Sequence, residues 1–192
     1  MRQLIFVTHA QVSIDPAVPV TDWPLSPAGR ARHAAHAARL GGIGCVVSSS
    51  ERKARDAAAI YADALGLSAT EDPGLGENDR SATGYLPPAE FEATADAFFA
   101  NPTHSIRGWE RAVDAQARVL AALQRVCTAA PDGDILVAAH GAVGALLRAH
   151  VLGAPIDRSH DQPPTGGGNV LRLALPRWTW LSGWITVDED GS

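Results

Sequence analysis

A single lysine, Lys53, stands against 15 arginines, and only two cysteines are present. Cys45 falls in an expected strand and Cys127 on the apolar face of an expected helix. Their isolation excludes a disulfide framework and offers no zinc spacing, so both read as small core residues. No apolar run reaches the roughly 18 residues that a membrane span needs, so no membrane partner is expected. Residues 1–7 begin directly with a strand-like segment and show no charged region, apolar stretch and cleavage site in succession. No secretory signal is visible there, and a cytoplasmic location is expected. Clustered cations are missing too: the net charge of -5 argues against nonspecific nucleic-acid binding, which uses Lys and Arg to displace counterions from phosphates. A local cationic pocket is compatible with that charge. The 192 residues, 46% hydrophobic and 19% charged, suffice for one buried core and are few for two, so a single domain over 1–192 is expected.

What the chain does contain is an alternation of strand and helix patterns. Leu4 to Val7 is an apolar run, followed from Gln11 to Leu25 by a loop whose Pro16, Pro19 and Pro24 block regular helix. Ser26 reads as an N-cap with Pro27 at the first helical position, opening a helix to about Leu40. Ile43 to Ser48 is a second strand. Ser50 is the expected cap of the next helix, in which Ala57, Ile60, Tyr61 and Ala64 recur at helical spacing until Gly66 stops it. A short strand near Leu67 to Glu71 follows. Pro87 and Pro88 start a helix to about Phe99, and Trp109 to Thr128 places Val113, Val119, Leu120, Leu123, Val126 and Cys127 along one stripe. Ile135 to Ala139 is a strand, about Val143 to Val151 a helix, and Pro155 to Gly168 a loop rich in Pro and Gly. Two strands, Val170 to Leu175 and Trp178 to Val187, come last. The predicted fold class is α/β, a three-layer α/β/α sandwich with a mostly parallel central sheet and an antiparallel edge. No internal repeat is present.

Two of these strands end alike. Leu4-Ile5-Phe6-Val7-Thr8 runs into His9, and Ile135-Leu136-Val137-Ala138-Ala139 into His140-Gly141. Each therefore delivers an imidazole at the carboxyl edge of the sheet, where open α/β sheets place their sites. One such histidine reads as a satisfied structural residue; the matched pair points to a shared site.

The order of strand-His, a Ser-rich turn with a cation, an acidic loop and strand-His-Gly resembles the histidine phosphatase superfamily, the phosphoglycerate-mutase-like fold, over about residues 2 to 187. The family's Arg-His-Gly reads Thr8-His9-Ala10 here. Leu25-Ser26-Pro27-Ala28-Gly29 is similar to the family's Leu-Ser/Thr-x-x-Gly helix start. Ser48-Ser49-Ser50-Glu51-Arg52-Lys53-Ala54-Arg55-Asp56-Ala57-Ala58 resembles Ser-Ser-Pro-x-x-Arg-Ala-x-Gln-Thr-Ala, which puts Lys53 at the second phosphate-binding arginine. Leu75-Gly76-Glu77 is similar to the element that carries the proton donor, and Ala139-His140-Gly141 to the second histidine motif.

The resemblance implies a site in which His9 attacks phosphorus, Glu77 protonates the leaving oxygen, and His140 and Lys53 hold the phosphoryl group. The implied partner is a small phosphorylated molecule, with no cofactor and no metal. Thr8 removes one family arginine, and Lys53 keeps the charge of the other without its planar fork. Two readings stand for Lys53: a surface residue pairing with Asp56, or the family's cation. Arg80 and Arg107 lie in loops near the expected site and offer a guanidinium in place of the missing ones, or are solvated surface residues; Arg52 and Arg55 carry the same two readings. A noncatalytic phospho-ligand-binding protein on the same fold is the rival to a phosphatase.

Other features read as structural. His33 and His36, three apart on a helix, suit a metal by spacing, but their Ala-rich surroundings favour a solvated face. Trp178, Trp180 and Trp184 offer a binding wall or packing against a helix, the commoner use. Trp109 faces the site or packs as a staple. Gly166-Gly167-Gly168 lacks the strand and helix of a phosphate cradle and reads as a flexible turn.

Overall fold

Strand β1 (Gln3–Thr8) has five buried residues in succession after Gln3, as a central strand covered on both faces requires. It pairs in parallel with β4 (Asp134–Ala139), Leu4 opposite Ile135 and Thr8 opposite Ala139. On the other side of β4 lies β2 (Ile43–Ser48), also parallel, followed by the short β3 (Ala69–Glu71). β5 (Asn169–Ala174) pairs antiparallel with β1, and β6 (Thr179–Thr186) antiparallel with β5. The strand order is β3-β2-β4-β1-β5-β6 in this computed structural model, which describes residues 1–191. The parallel neighbours β1 and β4 put the residues that follow them, His9 and His140, at one edge.

Successive strand residues face opposite sides of a sheet. Leu4, Phe6, Ile135 and Val137 therefore meet α4 (Ala112–Ala129) and α5 (Gly141–Val151) through Val119, Leu123, Val143 and Leu147. Ile5, Val7, Leu136 and Ala138 instead meet α1 (Pro27–Ala37) and α2 (Arg52–Leu65) through Ala37, Ala57, Ala58 and Tyr61. These are the three layers that the alternating pattern predicts. A smaller cluster forms where Phe98 and Phe99 of α3 (Pro88–Ala100) pack on Trp109, Ala112 and Ala115 of the α4 region and on Ala145 and Leu146 of α5. Cys45 and Cys127 are free and partly buried against the first core. Among the described residues no helix is long and apolar enough to cross a membrane.

Several element ends differ from the sequence pattern for local reasons. Ser26 Oγ accepts from the Gly29 amide as expected, but α1 stops at Ala37 rather than Leu40, because the chain tightens into i→i+3 bonds from Arg39 to His36 and from Leu40 to Ala37. Ser50 does not cap α2. Its N-cap is Glu51, and the Ser49 hydroxyl accepts from the Glu51 amide while also bonding His140. Helix α4 begins at Ala112, since Trp109 turns inward at 2% exposure and its indole donates to Thr83 Oγ1 at 2.9 Å. The loop between Pro155 and Gly168 contains a 3-10 turn, Arg158–His160. Trp178, Trp180 and Trp184 pack against the first core, the structural use.

Two readings from sequence are corrected outright. His33 and His36 are fully buried, not a solvated face, since the small alanines around them let Tyr61 approach and bond both rings. Gly166, Gly167 and Gly168 all have positive φ, and a Cβ on Gly167 would overlap the carbonyl oxygen of His9. That segment is a close-approach turn: Gly168 donates its amide to the His9 carbonyl at 3.0 Å, and Arg32 ties the Thr165 and Gly167 carbonyls.

Candidate active site

His9 leaves the end of β1 with its amide on the Ala139 carbonyl at 3.0 Å. Its Nδ1 is 3.0 Å from the Ala10 carbonyl, which can only accept, so Nδ1 carries the proton and Nε2 is bare. The His140 ring meets it edge-on, with centroids 5.3 Å apart. His140 is the N-cap residue of α5; its Nε2 is 2.7 Å from Ser49 Oγ, and its buried Nδ1 has no partner among the described residues. Burial, then the charges of His140 and Lys53, hold His9 down to about 3. Burial likewise lowers His140 to about 4, against the opposing pull of Glu51. Both imidazoles are thus neutral at ordinary pH.

Glu77 sits on the first turn of α5. Its Oε2 accepts from the Ala142 amide at 3.1 Å, and its Oε1 from Val143 at 3.1 Å and Asn78 at 3.2 Å. Burial raises its pKa, Arg80 opposes, and Glu51 adds to the rise. Two amides at the start of α5 are therefore taken by this side chain.

Lys53 does not fit the first of its two sequence readings. It is 2% exposed, so it is no surface residue and does not pair with Asp56, which instead takes the Leu25 amide and Arg30. Its ammonium is 2.6 Å from Glu51 Oε2 and donates to the Val20 carbonyl at 2.7 Å. Burial raises the Glu51 carboxyl, but His140, Lys53 and the Glu77 amide outweigh it and bring Glu51 down to about 2. Lys53 remains near enough to the two histidines to lower both, although its charge is matched by Glu51.

Thr8 is fully buried, and its hydroxyl donates to Gln162 Oε1 at 2.7 Å and accepts the Asn169 amide at 2.9 Å. Asn169 Nδ2 also reaches Gln162 Oε1 at 2.9 Å. Gln162 packs so closely on Gly141 that a Cβ there would overlap its amide. The space beside position 8 is filled by Gln162 rather than by a guanidinium.

Arg80 and Arg107 part company. Arg107 turns to Glu90 and Thr94 at 3.3 and 3.4 Å and does not line the cavity beside His9. Arg80 lies over the Phe91 ring at 5.0 Å and has no ion pair among the described residues. It lines both cavities that meet at Glu77, one of about 380 Å³ shared with His9, Gln162, Phe91 and Trp109, the other of about 520 Å³ shared with Val20, Ser50 and Glu51. Asn78 lines both as well, with a buried Nδ2 that has no partner among the described residues. Arg158 lines the smaller cavity but is engaged by Glu92, Asp96 and Asp161. Arg52 and Arg55 line a separate cavity with Asp56 and Glu71.

Ser49, Glu51, Asn78 and Gln162 are the residues that the sequence reading missed. Ser49 and Glu51 had a signal, adjacency to Lys53 in the Ser-rich turn. Gln162, in a loop without pattern, had none. No group of three metal-ligating side chains occurs among the described residues.

The sequence profile described as histidine phosphatase superfamily (branch 1) matches residues 4–182. The fold is similar to that of a mycobacterial glucosyl-3-phosphoglycerate phosphatase in complex with inorganic phosphate, at 24% identity and a TM-score of 0.80 over 99% of this chain and 100% of that one. YhfR of Bacillus stearothermophilus aligns at 22% identity and a TM-score of 0.80, covering 98% of this chain and 100% of the other. The alpha-ribazole phosphatase of Shigella flexneri aligns at 16% identity and 0.75, with 96% of each chain covered. A search of curated protein sequences finds no match.

Proposed function

The chain belongs to the histidine phosphatase superfamily, and on that premise we propose that it hydrolyses a small phosphate monoester through a phosphohistidine on His9. The observation that carries this reading is the bare Nε2 of His9, fixed by the bond from Nδ1 to Ala10 and faced by the second imidazole at 5.3 Å between centroids. Nε2 attacks phosphorus as the ester P–O bond breaks, and Glu77 gives its proton to the departing oxygen. Glu77 then takes a proton from water, whose oxygen attacks phosphorus and breaks the P–N bond, releasing inorganic phosphate and neutral His9. Burial raises the pKa of Glu77, the direction that suits an acid.

Negative charge on the phosphoryl oxygens needs donors in place beforehand. His140 Nδ1 and Asn78 Nδ2 are buried and without partners among the described residues, and Arg80 is a cation on this cavity that forms no ion pair among them. We assign to these three, with Lys53 behind them, the phosphate-holding role. Arg107 is left out, and Thr8 contributes only by holding Gln162.

A noncatalytic phosphate binder has one observation in its favour, the neutralisation of Lys53 by Glu51. Rapid quench of the protein with p-nitrophenyl phosphate separates the two. Acid-labile phosphate on His9, absent from His9→Ala, supports the enzyme; phosphate binding without phosphoprotein or turnover across a wide panel of esters supports the binder.

A further inference from the structure

Helix α1 carries two fully buried imidazoles, and both touch the Tyr61 hydroxyl, His33 Nδ1 at 2.9 Å and His36 Nδ1 at 2.8 Å. The far nitrogen of His33, Nε2, is 2.9 Å from the Ala10 amide. The far nitrogen of His36 is 2.8 Å from Asp190 Oδ2, and Arg172 bonds the same carboxylate at 2.7 and 3.2 Å. Neither imidazole enters the reaction proposed above.

One fixed donor sets the direction of every proton in this chain. A backbone amide only donates, so His33 Nε2 is the bare nitrogen and Nδ1 holds the proton. That proton goes to Tyr61 Oη, the tyrosine proton goes to His36 Nδ1, and His36 Nε2–H points at Asp190. Each of these polar atoms is then satisfied. Burial and, after it, His9, His36 and Arg32 hold His33 down to about 3. Burial and Asp190 raise the Tyr61 hydroxyl, so it keeps its proton.

The chain meets the site at Ala10. The Ala10 amide goes to His33, its carbonyl receives His9 Nδ1–H at 3.0 Å, and Gly168 pins the His9 carbonyl from the other side at 3.0 Å. The direction of the Ala10 carbonyl is what selects the His9 tautomer with Nε2 bare.

We propose that His33 is a positioning residue for phosphoryl transfer at His9: its Nε2 clamps the Ala10 amide, and Tyr61, His36 and Asp190 fix the proton order that keeps that nitrogen an acceptor. The proposal rests on the reading of His9 as nucleophile. A buried histidine that only filled space would impose no tautomer on His9.

The test pairs kinetics on p-nitrophenyl phosphate with nitrogen-15 NMR of the histidine rings, using the full chain. Wild-type His9 is expected to show one tautomer, protonated at Nδ1. In His33→Leu, kcat is expected to fall about tenfold or more, as for a misplaced reacting group, with KM changed by less than about twofold. His9 should then show both tautomers. His33→Gln, which offers an acceptor oxygen to Ala10, is expected to restore the single tautomer and bring kcat back to within about threefold. Tyr61→Phe keeps the ring, strands His33 Nδ1–H and should move His9 the same way, so the question stays open to test if the leucine variant does not fold. A folded His33→Leu protein with wild-type kcat, or equal losses in the leucine and glutamine variants with one His9 tautomer, overturns the proposal. If the wild type turns over no ester, the nucleophile assignment fails by itself, and the tautomer readout still decides whether His33 orders His9.

Discussion

The Lys53 ammonium lies 2.6 Å from Glu51 Oε2, so the one lysine of the chain arrives at the site with its charge already matched. A buried pair of this kind attracts an incoming anion less than a free cation does, and removing either partner leaves the other uncompensated.

Glu51→Gln should therefore have two effects of opposite sign. Inorganic phosphate is expected to bind about tenfold more tightly, about 1.4 kcal/mol, as Lys53 is released to it. In phosphate-free buffer the fold should lose about 3 kcal/mol, because the ammonium is left buried without its carboxylate. Titration calorimetry and thermal melts measure the two, and an unchanged phosphate affinity would place Lys53 out of reach of the ligand.

Arg80→Ala is expected to lower kcat/KM on an aryl phosphate by about thirtyfold, about 2 kcal/mol, the loss of a charge-assisted contact made in the transition state. Arg107→Ala should stay within about twofold, as its guanidinium is spent on Glu90 and Thr94. Steady-state kinetics on both variants tells them apart, and the reverse ranking would move the phosphate to another part of the cavity.

Glu77→Gln bears on the leaving group. Without a proton to give, turnover of an alkyl phosphate should fall about 100-fold or more, while release of p-nitrophenolate, which needs no proton, should suffer much less in the burst phase. Equal losses on the two esters would deny Glu77 the role of acid. In the wild type, alkyl ester turnover should decline on the alkaline side, as pH rises through the raised pKa of Glu77.

Stability should fall in acid for a reason tied to three residues. His9 and His33 are held to about 3 and His140 to about 4 in the fold, against 6.5 when unfolded. Below pH 6.5 the unfolded chain takes up their protons first, so their stabilisation is complete above that pH and is lost on the way down to the folded values. Each contributes a slope of about 1.4 kcal/mol per pH unit within that window. Glu77, with its raised pKa, acts in the opposite sense, so the informative quantity is a difference: His33→Gln should reduce the slope by about 1.4 kcal/mol per unit in denaturant melts between pH 6 and pH 4.5. An unchanged slope would mean that His33 is already protonated in the fold.

Restoring the family arginine at position 8 will not succeed alone. Thr8 is fully buried, and Gln162 and Asn169 occupy its hydroxyl. Thr8→Arg is expected to cost about 3 kcal/mol by overpacking, and Thr8→Arg with Gln162→Ala to recover most of that and bind phosphate more tightly than the wild type. Melting curves and phosphate titrations of the single and double variants check this. A single variant as stable as the wild type would show that the guanidinium finds another path.

Much of this was legible in the sequence because it depends on short-range pattern. Two apolar runs that end in histidine announce two buried strands, and the carboxyl edge follows from them. The fate of Lys53 was not legible: its choice of Glu51 and Val20 over Asp56 depends on how the loop after β1 folds over α2. His33 and His36 were misread for a related reason. An Ala-rich helix face looks uninteresting until Tyr61 and Asp190, far away in sequence, close against it. Gln162 is legible only once Gly141 is known to lack the side chain that would exclude it.

The strand order also dictates when the site can come into being. β1 finds its hydrogen-bonding partners only in β4 and β5, and β2 has β4 as its neighbour toward the middle of the sheet. Helices α1 and α2 can condense locally, but two strands wait for residues from 134 onward. The arrival of β4 closes a loop of long sequence separation, the step that long-range topology makes slow. It joins β1 to β2 and carries His140 to within a ring's width of His9 in one motion. Assembly of the core and assembly of the paired imidazoles are therefore a single late event in folding, and a partly folded chain would expose apolar strands before it could engage a phosphate.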